Sequence, residues 1–292
     1  MALFTSLVLA CAVCGAAEQT LPTNGAEVPF DGRKRATLEL RAASFETRDR
    51  ALKVVELRAQ PGFSMAILRD TLVGADVPLL RRSLDLGAAP AATGLGPRTA
   101  DANTANSVGD AEVRASFVAW RSAPAVTNRR FTLLAGVKLP TAPLERDPTG
   151  ALVHPDLQPG CGSVVPTIGG TYAWTSSRWA AWTSASLLFP VSVRSGAHSG
   201  DSLRAAIGGQ LQPTRIFATR LSVNGRLDAT GELAGEVVRA SGGASVHVAP
   251  ELVLSPTSDV VLALGASFPV VQEMRGYRAT TPVLLASVGV DF

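Results

Sequence analysis

A chain of 292 residues with a net charge of +3 and only 17% charged residues, at a mean hydropathy of +0.21, is apolar for a water-soluble protein of its length. Its arginines are spread along the chain rather than clustered, which argues against nucleic acid as a partner. Beyond the N-terminus no charge-free span of roughly 18 residues reads as an apolar helix, so membrane-spanning helices are excluded and strands that face lipid on one side are left.

Residues 1–17 read as a secretory signal, with Leu3 to Val13 as its apolar core and Gly15-Ala16-Ala17 as small residues before Glu18. The segment carries no Lys or Arg at its start, and Val8-Leu9-Ala10-Cys11 makes a poor lipidation motif. Cys11 and Cys14 lie inside it, so its removal leaves Cys161 alone and predicts no intramolecular disulfide. Residues 18–35, with Pro22, Pro29 and Arg33-Lys34-Arg35, read as a short periplasmic leader to a domain spanning 36–292.

That domain divides into about twelve candidate strands: 36–45, 51–68, 71–80, 108–120, 130–139, 161–174, 178–190, 201–212, 215–226, 242–254, 258–269 and 281–292. Pro61-Gly62 should mark a bulge in the second. In 215–226, Phe217, Thr219, Leu221 and Val223 oppose Arg220, Ser222, Asn224 and Arg226; in 258–269, Val260, Leu262, Leu264, Ala266 and Phe268 oppose Ala263, Gly265 and Ser267. Connections alternate in length along the chain. Arg69-Asp70, 121–129, Thr175-Ser176-Ser177, Pro213-Thr214 and Ser255-Pro256-Thr257 are the short ones, and 46–50, 81–107, 140–160, 191–200, 227–241 and 270–280 the long ones. An even strand count with short turns on one side and long loops on the other predicts an all-β, antiparallel transmembrane β-barrel, its long loops extracellular and its short turns periplasmic.

The aromatics obey the same division. Trp120, Phe131, Trp174, Trp179, Phe217 and Phe292 fall near periplasmic strand ends, and Phe45, Phe189 and Phe268 near the opposite ends. Two such girdles mark the interfaces of a bilayer. Pro78, Pro140, Pro190 and Pro269 each end an outward-going strand, where a residue without an N–H belongs. The last strand alternates as well: Leu284, Ala286, Val288, Val290 and Phe292 share one face. Its terminal phenylalanine resembles the closing strand of bacterial outer-membrane barrels. That likeness implies an outer-membrane location, surrounding lipid, and recognition of Phe292 by the barrel assembly machinery.

Three segments together resemble a family of bacterial outer-membrane proteins, the MetA-pathway of phenol degradation or transporter family. They are Val108-Gly109-Asp110-Ala111-Glu112-Val113, Gly136-Val137-Lys138-Leu139-Pro140-Thr141-Ala142 and Leu157-Gln158-Pro159-Gly160-Cys161-Gly162-Ser163. The family usually has Gly before the Gly-Asp pair, Gly where Ala142 stands and Thr where Cys161 stands. The resemblance implies a barrel concerned with uptake of aromatic or other small hydrophobic compounds.

Alternation assigns Glu39, Arg41, Glu56, Arg58, Glu112, Arg114, Lys138, Arg204, Arg220, Arg226, His247 and Glu251 to the inner face as pore-lining residues. Opposed Arg and Glu rows brace a wall and constrict a pore. Ser245 and His247 share that face and could form a hydrolytic pair, but no acid is placed to complete it, and phosphate-loop and metalloprotease motifs are missing. Asp147, His154 and Asp156 are the nearest approach to a cation site. The sequence therefore reads as a non-enzymatic barrel without cofactor or metal. Its leading function is a channel for small solutes; the alternative is a closed barrel acting through its long loops on a partner.

Overall fold

In the computed structural model, residues 34–47, 52–86, 103–122, 128–147, 149–152, 157–191, 197–233 and 235–292 are described. The segments expected to be a signal and most of a leader, and parts of several long connections, lie outside these residues.

Strands β1 (Lys34–Thr47) and β2 (Leu52–Leu68) form the first hairpin. Two staves are broken in the middle. β3 (Thr71–Asp76) and β4 (Leu79–Leu86) make one, interrupted at Val77-Pro78; β5 (Asn103–Val108) and β6 (Ala111–Arg121) make the other, interrupted at Gly109-Asp110. The next single staves are β7 (Asn128–Leu139), β8 (Val165–Thr175) and β9 (Trp179–Leu188). A two-residue strand, β10 (Ala197–His198), precedes β11 (Ser202–Leu211) and β12 (Phe217–Asp228). The short hairpin β13 (Glu232–Leu233) and β14 (Glu236–Val237) then leads to β15 (Gly243–Leu254) and β16 (Val260–Gln272). β17 (Tyr277–Ala279) and β18 (Val283–Asp291) finish the chain. Twelve antiparallel staves close into a barrel because β1 pairs with β2 on one edge and with β18 on the other. β10, β13 and β14 form a separate small sheet among the extracellular loops, which the sequence did not reveal.

The exposed side chains are the apolar ones: Leu264, Ile207, Ile168, Leu284 and Leu221 are 63%, 62%, 58%, 58% and 54% exposed, whereas Arg82 and Glu56 are 1% exposed. Burying charge while exposing leucine inverts the distribution of a soluble protein. It is the expected solution when the outer solvent is hydrocarbon and the interior is polar. Period-two alternation produces it stave by stave: Leu38 and Leu40 on β1 face outward while Arg41 and Phe45 are buried.

Three bulges adjust this alternation, between Ala66 and Leu68, between Val118 and Trp120, and between Val246 and His247. The second explains why Phe117 and Trp120, three positions apart, are both exposed on the outer wall. The bulge expected at Pro61-Gly62 does not form. β2 pairs without interruption along β1 there, with Leu38 opposite Pro61 and Thr37 opposite Gly62. The break falls instead on the neighbouring stave at Val77-Pro78, whose Val77 N–H reaches the Pro61 carbonyl at 3.2 Å. Proline lacks only a donor, so the ladder is relieved where that donor would have been received. Of the four prolines expected to end strands, Pro140 and Pro190 do so; Pro78 marks the break and Pro269 lies within β16, beside the third bulge.

Trp120, Phe131, Trp174, Trp179 and Phe292 are exposed near the periplasmic rim, where Trp174 and Trp179 meet at 4.4 Å and Phe63 packs against Phe292 at 6.4 Å. Phe189 and Phe268 are exposed toward the other rim. Phe45 is not part of that girdle. It points inward, is 2% exposed, and meets Tyr277 edge to face at 5.8 Å. Two-residue steps from Arg41 through Ala43 put it on that inner face.

Candidate functional site: the lumen and its mouth

The inner wall is layered, and each layer follows from two-residue steps along the staves. Descending β1 from the extracellular end, the inward positions are Phe45, Ala43, Arg41, Glu39, Thr37 and Arg35; on β2 they are Leu52, Val54, Glu56, Arg58, Gln60, Gly62 and Ser64. An apolar layer therefore lies above a charged layer, which lies above a small polar one.

The apolar layer is a packed cluster at the extracellular end of β1, β2, β4, β17 and β18. Phe45, Val54, Leu84, Tyr277, Val283 and Leu285 from the strands pack with Leu157 and Met274 brought in by the loops, and Leu157 is 0% exposed. All residues from Leu157 to Ser163 are buried, so the end of the long loop between β7 and β8 folds inward.

Three short segments, distant in sequence, hold this loop in place. The Asp110 carboxylate accepts the Ala142 N–H at 3.0 Å and the Cys161 N–H. Thr141 Oγ1 donates to the Gly109 carbonyl and accepts the Ala111 N–H, both at 2.8 Å. Gly160 packs so closely that a Cβ there would strike Ala142 and the Asp110 carboxylate, and Gly162 has φ of 65°, a left-handed conformation suited to glycine. The segments singled out in the sequence thus meet as a latch. The expectation that Cys161 forms no intramolecular disulfide turns on Cys11 and Cys14, which lie outside the described residues.

Beneath the apolar layer, Arg82 is the centre of a buried ion network. Its Nε donates to Glu56 at 2.9 Å, and its other nitrogens reach Glu145 and the Leu157 carbonyl. Glu56 also accepts from Arg58 Nε at 3.2 Å. The two arms of the loop are joined independently: Glu145 N–H donates to Gln158 Oε1 at 2.8 Å, and Gln158 Nε2 donates to the Glu145 carbonyl at 3.0 Å.

Below this network lie two cavities of about 180 and 110 Å³. Thr132, Thr167, Thr171, Ser116, Ser184 and Ser186 line much of the larger. Ion pairs stiffen the walls of the two cavities: Arg35 grips Asp291 with two hydrogen bonds of 2.8 and 2.7 Å across the closing seam, Arg114 meets Asp76 at 2.7 Å, and Arg220 meets Glu251 at 3.1 Å. Arg220 also lies 5.7 Å from the ring of Trp182, which packs so closely on Gly208 that no larger residue fits there.

The twelve residues assigned inward by alternation fall into two groups. Glu39, Glu112, Arg114, Arg204, Arg220, Arg226, His247 and Glu251 border the two cavities. Arg41, Glu56, Arg58 and Lys138 are between 1% and 4% exposed and are packed in the charged wall. Sequence reasoning missed Arg82, Glu145, Asp76 and Asp228. Arg82 was lost because 81–107 read as loop, although Leu80, Arg82 and Leu84 alternate inward on β4.

Ser245 and His247 are both buried in the lumen wall, and His247 Nδ1 lies 3.4 Å from Ser267 Oγ. Asp147 is occupied in a turn, accepting the N–H groups of Thr149 and Ala151 at 2.8 and 3.1 Å; His154 and Asp156 lie outside the described residues. No group of three His, Cys, Asp or Glu is placed to hold a metal ion among the described residues.

No family model and no curated protein matches the sequence. Among solved structures, the COG4313 outer membrane channel from Pseudomonas putida F1 superposes with a TM-score of 0.71 at 12% identity, covering 94% of this chain and 100% of that one. The translocator domain of the autotransporter NalP from Neisseria meningitidis covers 92% and 91% at 11% identity, and the toluene transporter TodX of P. putida 89% and 90% at 12%. Their TM-scores of 0.45 and 0.40 are too low to carry an argument. The first likeness shows the fold. With the apolar outer wall, it places the chain in a bacterial outer membrane as a twelve-stranded barrel.

Proposed function

We propose that this barrel is a channel for small solutes, of the kind that carries aromatic or other hydrophobic compounds across the outer membrane. The observation that carries the reading is the pair of cavities under the mouth, lined by small polar side chains where a purely structural barrel would pack its interior solid. The name of the similar Pseudomonas channel and the three-segment resemblance to the phenol-degradation family support the same reading, as do the eight of the twelve inward residues that border the cavities. On this reading the loop that carries Leu157 is the extracellular gate, because its end from Leu157 to Ser163 is buried at the mouth.

The apolar layer itself favours a second reading, a barrel that stays closed and works through its loops on a partner. Planar-bilayer recording separates the two. The channel reading expects discrete conductance steps that change when a small aromatic solute is added. A folded barrel that inserts and stays silent at all voltages supports the closed one.

A further inference from the structure

Three neighbouring periplasmic turns carry arginine and no acid. Arg129 follows the turn between β6 and β7, Arg178 closes the one between β8 and β9, and Arg215 lies in the one between β11 and β12; all three are exposed. The stretches 113–144, 157–200 and 202–227, which supply these turns and nearly all of the staves they join, contain neither Asp nor Glu. On the adjoining staves, Glu251 faces the lumen against Arg220. The next turns round the rim bring Asp70, which Arg121 already holds, and Asp259 between β15 and β16. This arc of the rim therefore carries positive charge without acids of its own.

Its placement selects the partner. The Gln212 N–H donates to the Arg178 carbonyl at 2.7 Å, which ties two of the turns together, and Arg129 is the direct cross-strand partner of Trp174. The Arg129 guanidinium lies over the Trp174 ring at 5.3 Å, and Trp174 meets Trp179, the cross-strand partner of Leu211. A guanidinium stacked on a ring keeps its N–H edge for an anion. Arg129 shares the outer face of β7 with Phe131 and Leu133, both exposed, so it stands on the lipid side of the wall at the level of the aromatic girdle. Such a girdle marks the headgroup level of a leaflet, where the anion present is a phosphodiester.

We propose that this arc binds an anionic phospholipid of the periplasmic leaflet, its phosphate met by Arg129, Arg178 and Arg215 and its acyl chains laid along Phe131, Tyr172 and Leu211. The paired N–H donors of arginine fit a phosphate geometrically as well as by charge. An acidic periplasmic protein fits less well, because it would reach the turns but not the outer face of β7 in the bilayer interface. The inference does not depend on whether the lumen conducts.

The test uses the full-length barrel in detergent, read by native mass spectrometry, with phosphatidylglycerol, phosphatidylethanolamine and water-soluble glycerol 3-phosphate as probes. The unsubstituted protein should retain phosphatidylglycerol at concentrations where the other two are lost. Arg129→Gln, Arg178→Gln and Arg215→Gln should each weaken that retention about fivefold, the contribution of one cation near an anionic lipid surface, and the triple variant should abolish it. Arg69→Gln, in the turn between β2 and β3 outside the arc, should leave it unchanged, and an electrophoretic shift on heating checks that each variant is a folded barrel. If the triple variant does not fold, Arg178→Gln, confined to an exposed turn, decides alone. Equal retention of phosphatidylglycerol and phosphatidylethanolamine, or retention unchanged in folded Arg178→Gln, overturns the proposal. Glycerol 3-phosphate bound as tightly as the lipid assigns the arc to a free phosphate and overturns it as well.

Discussion

Replacing Glu145 with Gln should loosen the mouth of the barrel without unfolding it. The Glu145 carboxylate reaches over the charged layer to Arg82, whose remaining bonds to Glu56 at 2.9 Å and to the Leu157 carbonyl do not depend on it. The substitution keeps the shape and the backbone bonds that join the loop's arms at Gln158. It removes one buried charge-assisted hydrogen bond, a loss of about 1.5–3 kcal/mol, which raises the population of a lifted loop roughly tenfold to a hundredfold. Arg82→Ala is the contrast: it leaves Glu56, 1% exposed, with Arg58 alone, and breaking a buried network in this way costs about 3–5 kcal/mol. Open probability in planar bilayers reads the first variant, and folded yield in detergent reads the second. Gating of Glu145→Gln indistinguishable from the parent, with Arg82→Ala folding normally, would refute the network as the tether.

Leu221 is 54% exposed on the outer wall and Ser222 is 2% exposed. Arg at 221 should cost about 2–4 kcal/mol in urea titrations of vesicle-inserted protein, with a much smaller penalty at 222; equal penalties would mean the register is wrong. Asp110→Ala strands the N–H groups of Ala142 and Cys161, so the loop 140–164 should become protease-sensitive in folded barrels; unchanged resistance would remove the latch. Deleting Phe292, which packs on Phe63, should impair assembly in cells while refolding from urea stays near normal, since one aromatic contributes only about 1.5–3 kcal/mol. Failure in both settings would make the ring a general packing residue instead.

Alternation carried the most information in the sequence, because a wall one residue thick with hydrocarbon outside and water inside forces opposite chemistry on successive positions. Arg220, Ser222, Asn224 and Arg226 could be placed from their neighbours alone, and the loop lengths supplied the antiparallel order. Where the wall departs from regularity, the signal faded. Pro61 looked like a defect in its own strand, yet the adjustment passed to Val77-Pro78, a pairing partner that the sequence does not name. Phe45 looked like a belt residue from its place at a strand end, although two-residue steps from Arg41 through Ala43 set it on the inner face. Arg82 and Glu145 were hidden for a different reason: their partners are 26 and 63 residues from Arg82 along the chain, and a buried ion pair leaves no local pattern. The latch at Asp110 was seen as three separate motifs, and only the fold brings them together.

The central claim is that the lumen is the solute pathway, and a cysteine at Ser186 tests it most directly, because Ser186 borders the larger cavity near the extracellular end of β9. In a planar bilayer containing Ser186→Cys, a charged methanethiosulfonate reagent should reduce the single-channel current stepwise and irreversibly, with no effect on the unsubstituted protein. A current that persists unchanged after the thiol is shown to be modified would place the conducting path outside this lumen and contradict the account.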